Sequence, residues 1–260
     1  MLTPDQIVHF ETFGFLMLPQ LFAPEEVALM RREAVGLLKE ARKGLPFDGA
    51  ESQTVMPFFE RQPSIIGLLE DDRIYETVED LLGPGFVLVL TEAHLSVGDT
   101  QWHGDHRTKG VLPNVKMGIY LESVTRHSGC LRVIPGSHRS PLFESLAPLK
   151  LQFDDPSAMP LGVLGPDVPC VALESEPGDL VVFLEEVYHA AFGGRTGRPR
   201  IALNFEAAPT TDDRIDIMRT EYAKTVYMYR PASSLMESGR PRLRNMATPL
   251  LDLGFDTFDV

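Results

Sequence analysis

Gln101-Trp102-His103-Gly104-Asp105-His106 is the stretch on which the reading of this chain turns. Side chains alternate between the two faces of an extended backbone, so His103 and Asp105, two residues apart, are expected to project from the same face of one strand. An imidazole nitrogen beside a carboxylate oxygen makes half of a metal site. Completion needs a donor from elsewhere in the chain, and His189 is the candidate. Two histidines and one carboxylate occupy one face of an octahedral Fe(II) and leave the other positions open to exogenous ligands.

The flanking sequence supplies a scaffold. From Phe86 onward, short β-type runs at 86–95, 114–121, 130–134, 170–175, 179–184 and 200–207 are separated by turn residues. Strands of this length and spacing predict a sandwich or jelly roll, whose mouth between two sheets can hold a small ligand. The region before them reads as helical. Thr3-Pro4-Asp5-Gln6 is a helix start, with Thr3 as cap, Pro4 at the first helical position and Gln6 completing a capping box; Gly14 ends that helix. A buried strand is expected over 15–22. Pro24-Glu25-Glu26 then opens a longer helix with Val27, Met30, Ala34, Leu37, Leu38 and Ala41 on one stripe, and a further helix runs from about Asp72 to Leu82. Residues 45–63 have no clear period. After Pro209 one helix is expected over about 212–223.

Glu176-Pro177-Gly178-Asp179-Leu180-Val181-Val182-Phe183, then His189, then Arg198-Pro199-Arg200-Ile201-Ala202-Leu203-Asn204-Phe205 form the second informative region. Gly193-Gly194 and Thr196-Gly197 signal a turn, which predicts an antiparallel hairpin with His189 and Arg200 facing each other across it. Alternation along the second run places Arg200, Ala202 and Asn204 on an inward face and Ile201, Leu203 and Phe205 on a face packed against the N-terminal helices. Arg198, before Pro199, is expected nearer the turn and more exposed.

Composition narrows the class. A formal charge of −13, from 37 acidic against 24 basic residues, works against unspecific attraction to nucleic acid or anionic membranes. No stretch approaches the roughly 18 apolar residues of a membrane span, and the N-terminus lacks a basic region followed by an apolar one. Two cysteines, Cys130 and Cys170, are too few for a disulfide framework and lie in apolar runs, which fits a reducing cytoplasm.

His103-Gly104-Asp105, then Gly118-Ile119-Tyr120-Leu121, then Gly129-Cys130-Leu131-Arg132-Val133-Ile134-Pro135-Gly136-Ser137-His138, and Pro177-Gly178-Asp179 with His189 and Arg200 resemble the phytanoyl-CoA dioxygenase family. The resemblance implies a double-stranded β-helix, a mainly β jelly-roll or cupin-like barrel flanked by N-terminal helices. It implies Fe(II) held by His103, Asp105 and His189, and 2-oxoglutarate on the iron with its far carboxylate gripped by Arg200. The family's reaction consumes O2, releases succinate and CO2 from 2-oxoglutarate, and hydroxylates a C–H bond.

This chain departs from the family at Ala191, where members often carry a serine whose hydroxyl assists the co-substrate. Glu92 and His94, on one strand face, stand where relatives place a polar side chain toward the co-substrate. His94 and Asn204 are therefore expected beside Arg200 as co-substrate-binding residues, with a hydrogen-bonded core histidine as the other reading of His94. A halogenase of the same fold and a non-catalytic binding jelly roll are the alternatives. Asp105 counts against the first, because halogenating relatives replace that carboxylate, and the complete ligand set counts against the second.

One domain is expected over 1–260: a helical N-terminal third up to residue 85, a jelly-roll core of about 86–209 and an extension 210–260. The expected partner is a small-molecule substrate, with neither nucleic acid nor membrane, for a cytoplasmic monomer or weak homo-oligomer. Substrate contacts should come from loops 45–62, 106–113 and 140–169 and from the tail, with His106 and Lys109 near the ligands. His138 is read as belonging to a shaping turn; His9 and His127 as surface residues. Arg240, Arg242 and Arg244 are the basic group nearest to what an acyl-CoA phosphate would need.

Overall fold

A computed structural model describes residues 2–105, 113–194, 197–219 and 230–259. The first helix, α1 (Pro4–Phe13), starts as its sequence predicts: the Gln6 amide donates to the Thr3 hydroxyl at 3.2 Å, and the Thr3 amide donates to the Gln6 side chain at 2.8 Å. Gly14 ends it at φ 82°, a backbone region that suits glycine. In α2 (Pro24–Ala41) the stripe Val27, Met30, Ala34, Leu37 and Leu38 is buried, while Ala41 is exposed. The α3 helix (Asp72–Leu82) buries Ile74, Tyr75, Thr77 and Val78.

Ten strands follow among the described residues: β1 Phe15–Leu18, β2 Gln53–Val55, β3 Val87–Ser96, β4 Thr100–His103, β5 Asn114–Tyr120, β6 Leu131–Val133, β7 Val171–Leu173, β8 Leu180–Phe183, β9 His189–Ala191 and β10 Arg198–Glu206. They form two antiparallel sheets, a six-stranded one ordered β1-β8-β5-β10-β3-β2 and a four-stranded one ordered β4-β9-β6-β7. This is a jelly-roll arrangement. It is not a closed barrel, because no ladder joins the two sheets among the described residues.

Both faces of the large sheet are used. Ile201, Leu203 and Phe205 of β10 join Met117 and Ile119 of β5 in a core with Met30, Ala34 and Leu38 of α2. Val181 and Phe183 of β8 turn the other way and meet Val133 and Leu173 of the small sheet. Trp102, Tyr188, Ala190 and Phe192 pack outward from the small sheet onto Leu146, Leu149 and Val168. Burial of this kind stabilises by roughly 25 cal/mol per Å² of apolar surface, so the strands are held by layers on both sides.

The expected hairpin between 179–184 and 200–207 is absent. β9 pairs with β4 and β6, whereas β10 pairs with β3 and β5, so the chain passes from one sheet to the other between Ala191 and Arg198; Arg195 and Thr196 of the expected turn lie outside the described residues. Gly193 has no room for a side chain, since a Cβ there would lie 2.7 Å from the His127 carbonyl oxygen. The expected strand over 15–22 stops at Leu18, before Pro19. The segment 45–63 contributes β2 to the edge of the large sheet, and the tail forms α4 (Asp212–Ile217), α5 (Ser233–Glu237) and α6 (Pro241–Asp252). Residues 220–223 of the expected helix lie outside the described residues, as do His106 and Lys109. His9 is half-buried against Phe13 and Phe15, and His127 is exposed. No helix among the described residues is long and apolar enough to cross a membrane.

One buried carboxyl couples this scaffold to pH. Glu60 is 7% exposed and accepts the Thr91 hydroxyl, which in turn accepts the Phe58 and Phe59 amides at 2.8 and 3.1 Å. Burial pushes the Glu60 carboxyl up from 4.5 to about 7. The folded chain then holds a proton that the unfolded chain releases above 4.5, so this contribution is fully present below that pH and is lost as pH rises through 7. Unfolding free energy from urea denaturation should fall by roughly 3 kcal/mol over that interval relative to Glu60→Gln. Parallel pH dependences for the two proteins would show that Glu60 does not titrate in this range.

Candidate metal centre and adjoining cavity

Local chemistry fixes each member of the His103, Asp105, His189 cluster. β4 is anchored by Trp102, fully buried, whose indole N–H donates to the Gly165 carbonyl at 2.7 Å. His103 is paired directly with His189 across β4 and β9, with ring centroids 4.1 Å apart. β4 ends at His103, so Asp105 reaches the cluster from just beyond the strand and not by strand alternation as expected. Its amide donates to the Glu185 carbonyl at 2.9 Å. Gly104 permits this approach, because a Cβ there would stand 2.7 Å from the Glu186 carbonyl oxygen. β9 is held at its start by the Pro135-Gly136-Ser137-His138 turn: the Tyr188 amide donates to the Ser137 hydroxyl at 2.7 Å, and the Ile134 amide to the Tyr188 carbonyl at 2.9 Å.

One ligand atom from each of His103, Asp105 and His189 lies within 4.8 Å of the others. The Nδ1 of His103 is 2.8 Å from the Gln101 carbonyl, and that of His189 is 2.8 Å from the Val187 carbonyl. A carbonyl only accepts, so each Nδ1 carries the proton and each Nε2 keeps its lone pair. For His103 that nitrogen is 3.5 Å from Asp105 Oδ1. Burial, and then the neighbouring His103, push His189 down to about 3, which keeps its imidazole neutral. Two imidazoles that each present Nε2, beside a carboxylate, are the donor set a divalent metal requires.

A cavity of about 240 Å³ opens from His103 and His189 between the two sheets and is lined by His94, Lys116, Tyr120 and Arg200. On β10, Arg200 has His94 of β3 as its ladder partner on one side and Tyr120 of β5 on the other. Facing His189 across a hairpin was the expectation. The two instead occupy opposite sheets and look into the same cavity. Arg200 Nη2 is 3.7 Å from Glu92 Oε1. His94 Nδ1 is 2.6 Å from the Thr54 hydroxyl, and burial, then Arg200, push His94 down to about 4. Arg198 also lines the cavity, but its Nη1 donates to the Ser123 carbonyl at 2.7 Å and to the Ser128 hydroxyl at 3.2 Å.

Asn204 is placed away from this lining. Its amide donates to Glu185 beneath the cluster, because the β10 face that carries Arg200 into the cavity has reached the packed end of the interior four residues later. Two neighbours escaped the reading of the sequence. Lys116 Nζ is 3.7 Å from Asp105 Oδ2 and 3.6 Å from Glu185 Oε1, and Phe153, 52% exposed, meets the His103 ring edge-on at 5.7 Å. Alternation with Tyr120 was the available signal for Lys116; nothing local marked Phe153. Arg240 and Arg242 are spent on Glu70, Asp72 and Glu76.

The description of the phytanoyl-CoA dioxygenase (PhyH) family matches residues 10–202. The chain belongs to this family. Among characterised proteins it is similar to the ectoine dioxygenase of Sphingopyxis alaskensis, at 28% identity over 221 residues, 75% of this chain and 72% of that protein. The crystal structure of EctD from S. alaskensis with 2-oxoglutarate and 5-hydroxyectoine superposes with a TM-score of 0.60 at 24% identity, covering 80% of this chain and 77% of that one. SnoK, a non-heme alpha ketoglutarate dependent carbocyclase from nogalamycin biosynthesis, gives 0.62 at 18% identity, with 87% and 92% covered. Family membership makes this chain an Fe(II)- and 2-oxoglutarate-dependent dioxygenase, and its donor set fits that metal.

Proposed function

We propose that the protein hydroxylates a C–H bond of a small-molecule substrate, coupled to conversion of 2-oxoglutarate and O2 into succinate and CO2, at iron held by His103, Asp105 and His189. One observation carries the proposal: three ligand atoms within 4.8 Å of one another open onto a cavity that runs to Arg200. Held by His103, Asp105 and His189, iron would supply the Lewis-acid and redox chemistry that the reaction of 2-oxoglutarate with O2 requires.

The chain's own groups then have defined tasks. The Gln101 and Val187 carbonyls hold the two imidazoles in the tautomer that leaves Nε2 free. Arg200 presents a planar fork of donors that matches the far carboxylate of 2-oxoglutarate in two parallel hydrogen bonds, a match that a lysine cannot give. Glu92 steadies the guanidinium from the side. The Thr54 hydroxyl and His94 Nδ1, 2.6 Å apart, share a hydrogen bond that holds the ring at the cavity wall beside Arg200. The substrate approaches over His103 and Asp105, whose side chains are 23% and 34% exposed, past the open ring of Phe153. With Asp105 in the cluster a carboxylate fills the position that a halide would need, which favours hydroxylation over halogenation.

The test is anaerobic addition of 2-oxoglutarate to the Fe(II) protein. A visible charge-transfer band is expected, followed on admission of O2 by succinate in amounts that rise with a competent substrate. Absence of both band and O2-dependent succinate from the iron-loaded protein would refute the proposal.

A further inference from the structure

Asp105 offers two oxygens, and the chain treats them differently. Oδ1 is 3.5 Å from His103 Nε2, on the side where the cluster's ligand atoms converge. Oδ2 is 3.7 Å from Lys116 Nζ. A carboxylate can bind a metal through one oxygen or through both, and the terminal torsion of an aspartate has no sharp staggered wells to choose between them. A second oxygen on the metal would close a position that exogenous ligands need. Some neighbour has to hold the carboxylate.

Lys116 is placed for that task by its strand. It lies on β5, in register with Phe183 of β8 and Asn204 of β10, and it lines the cavity that opens from His103 and His189. Its side chain is 21% exposed, and Glu185 Oε1, on the buried side, is 3.6 Å from the same ammonium. A cation this close to a metal site would repel a divalent ion if its charge were unmatched, and the buried Glu185 carboxylate matches it. Glu185 is itself well fixed: its amide donates to Asn114 Oδ1 at 3.0 Å, and the Asn204 amide donates to its Oε1. Its carbonyl accepts the Asp105 amide at 2.9 Å. One residue therefore holds Asp105 at both ends, by its own backbone at the main chain and through Lys116 at the carboxylate.

We infer that Lys116 is a positioning residue: it holds Asp105 Oδ2 off the metal, so that the carboxylate presents Oδ1 alone to an ion shared with His103 and His189. This rests on the function proposed above.

The experiment is titration of the metal-free protein with Co(II), followed by visible absorption and by competition with a chelator. Lys116→Met should weaken Co(II) binding about 10- to 100-fold, the range for removing the partner of a metal ligand, and alter the shape of the d–d band. Lys116→Arg should recover most of the affinity and the native band, because it returns a cation to Oδ2. Adding Lys116→Met to Asp105→Ala should cost nothing further, since the lysine acts through that carboxylate. Lys116→Gln, of similar length and without the charge, gives the same reading if methionine unfolds the chain. Unchanged or tighter Co(II) binding without the lysine, or an equal loss in the Asp105→Ala background, would overturn the assignment while leaving the proposed function standing. Failure of the native chain to bind Co(II) would overturn both.

Discussion

His189→Ala should lower O2-dependent succinate formation by at least about a thousandfold, and iron affinity by more than about a hundredfold, while leaving the fold intact. The scale follows from the donor count, since even partners of metal ligands cost about 10- to 100-fold in affinity or activity when removed and a ligand costs more. His189 is 6% exposed and has its Nδ1–H held by the Val187 carbonyl, so its Nε2 is a fixed donor that alanine cannot supply. The fold survives because β9 is held by other groups. Ser137 accepts the Tyr188 amide, Ile134 donates to the Tyr188 carbonyl, and Ala190 packs with Trp102 and Phe192. Metal titration monitored by absorption, with thermal unfolding alongside, checks both halves. Full turnover in the variant would remove His189 from the ligand set, and a collapsed melting transition would make its role structural.

Arg200→Ala should cost roughly 2–5 kcal/mol of 2-oxoglutarate affinity, the range for removing one partner of a desolvated charge pair. That corresponds to between about thirtyfold and a few thousandfold in Kd. Arg198→Ala is the control. Arg198 borders the same cavity, but its guanidinium is committed to the Ser123 carbonyl and the Ser128 hydroxyl, so its removal should change affinity by less than about threefold. Titrating 2-oxoglutarate into the Fe(II) forms of both variants decides between them. A loss confined to the Arg198 variant would move the carboxylate to the outer end of the cavity. Equal losses would mean that the cavity reads total charge and not the Arg200 fork.

Glu60→Gln, by contrast, should alter stability without touching this chemistry, since Glu60 lies against Thr91 and outside the cavity lining.

Much of the molecule is written locally. Thr3 and Gln6 carry their own capping box, Val27 to Leu38 their own buried stripe, and Ile201, Leu203 and Phe205 their own outward face, because each signal depends on neighbours within a few residues. His103, Asp105 and His189 were legible for a different reason: two histidines and a carboxylate are a metal-binding set, and the resemblance to the phytanoyl-CoA dioxygenase family pointed to these three. Pairing was not legible in this way, and the hairpin expected between the two runs does not form. The glycines at 193–197 announced a turn, but a turn's residues do not state whether the chain doubles back within a sheet or crosses to the opposite one. That choice belongs to the tertiary structure, in which β10 finds a place between β3 and β5 while β9 settles between β4 and β6. The same choice lines up Arg200 with Tyr120 and His94, brings Lys116 to Asp105, and turns Asn204 toward Glu185, contacts between residues far apart in the chain that only the completed packing of two sheets brings within reach.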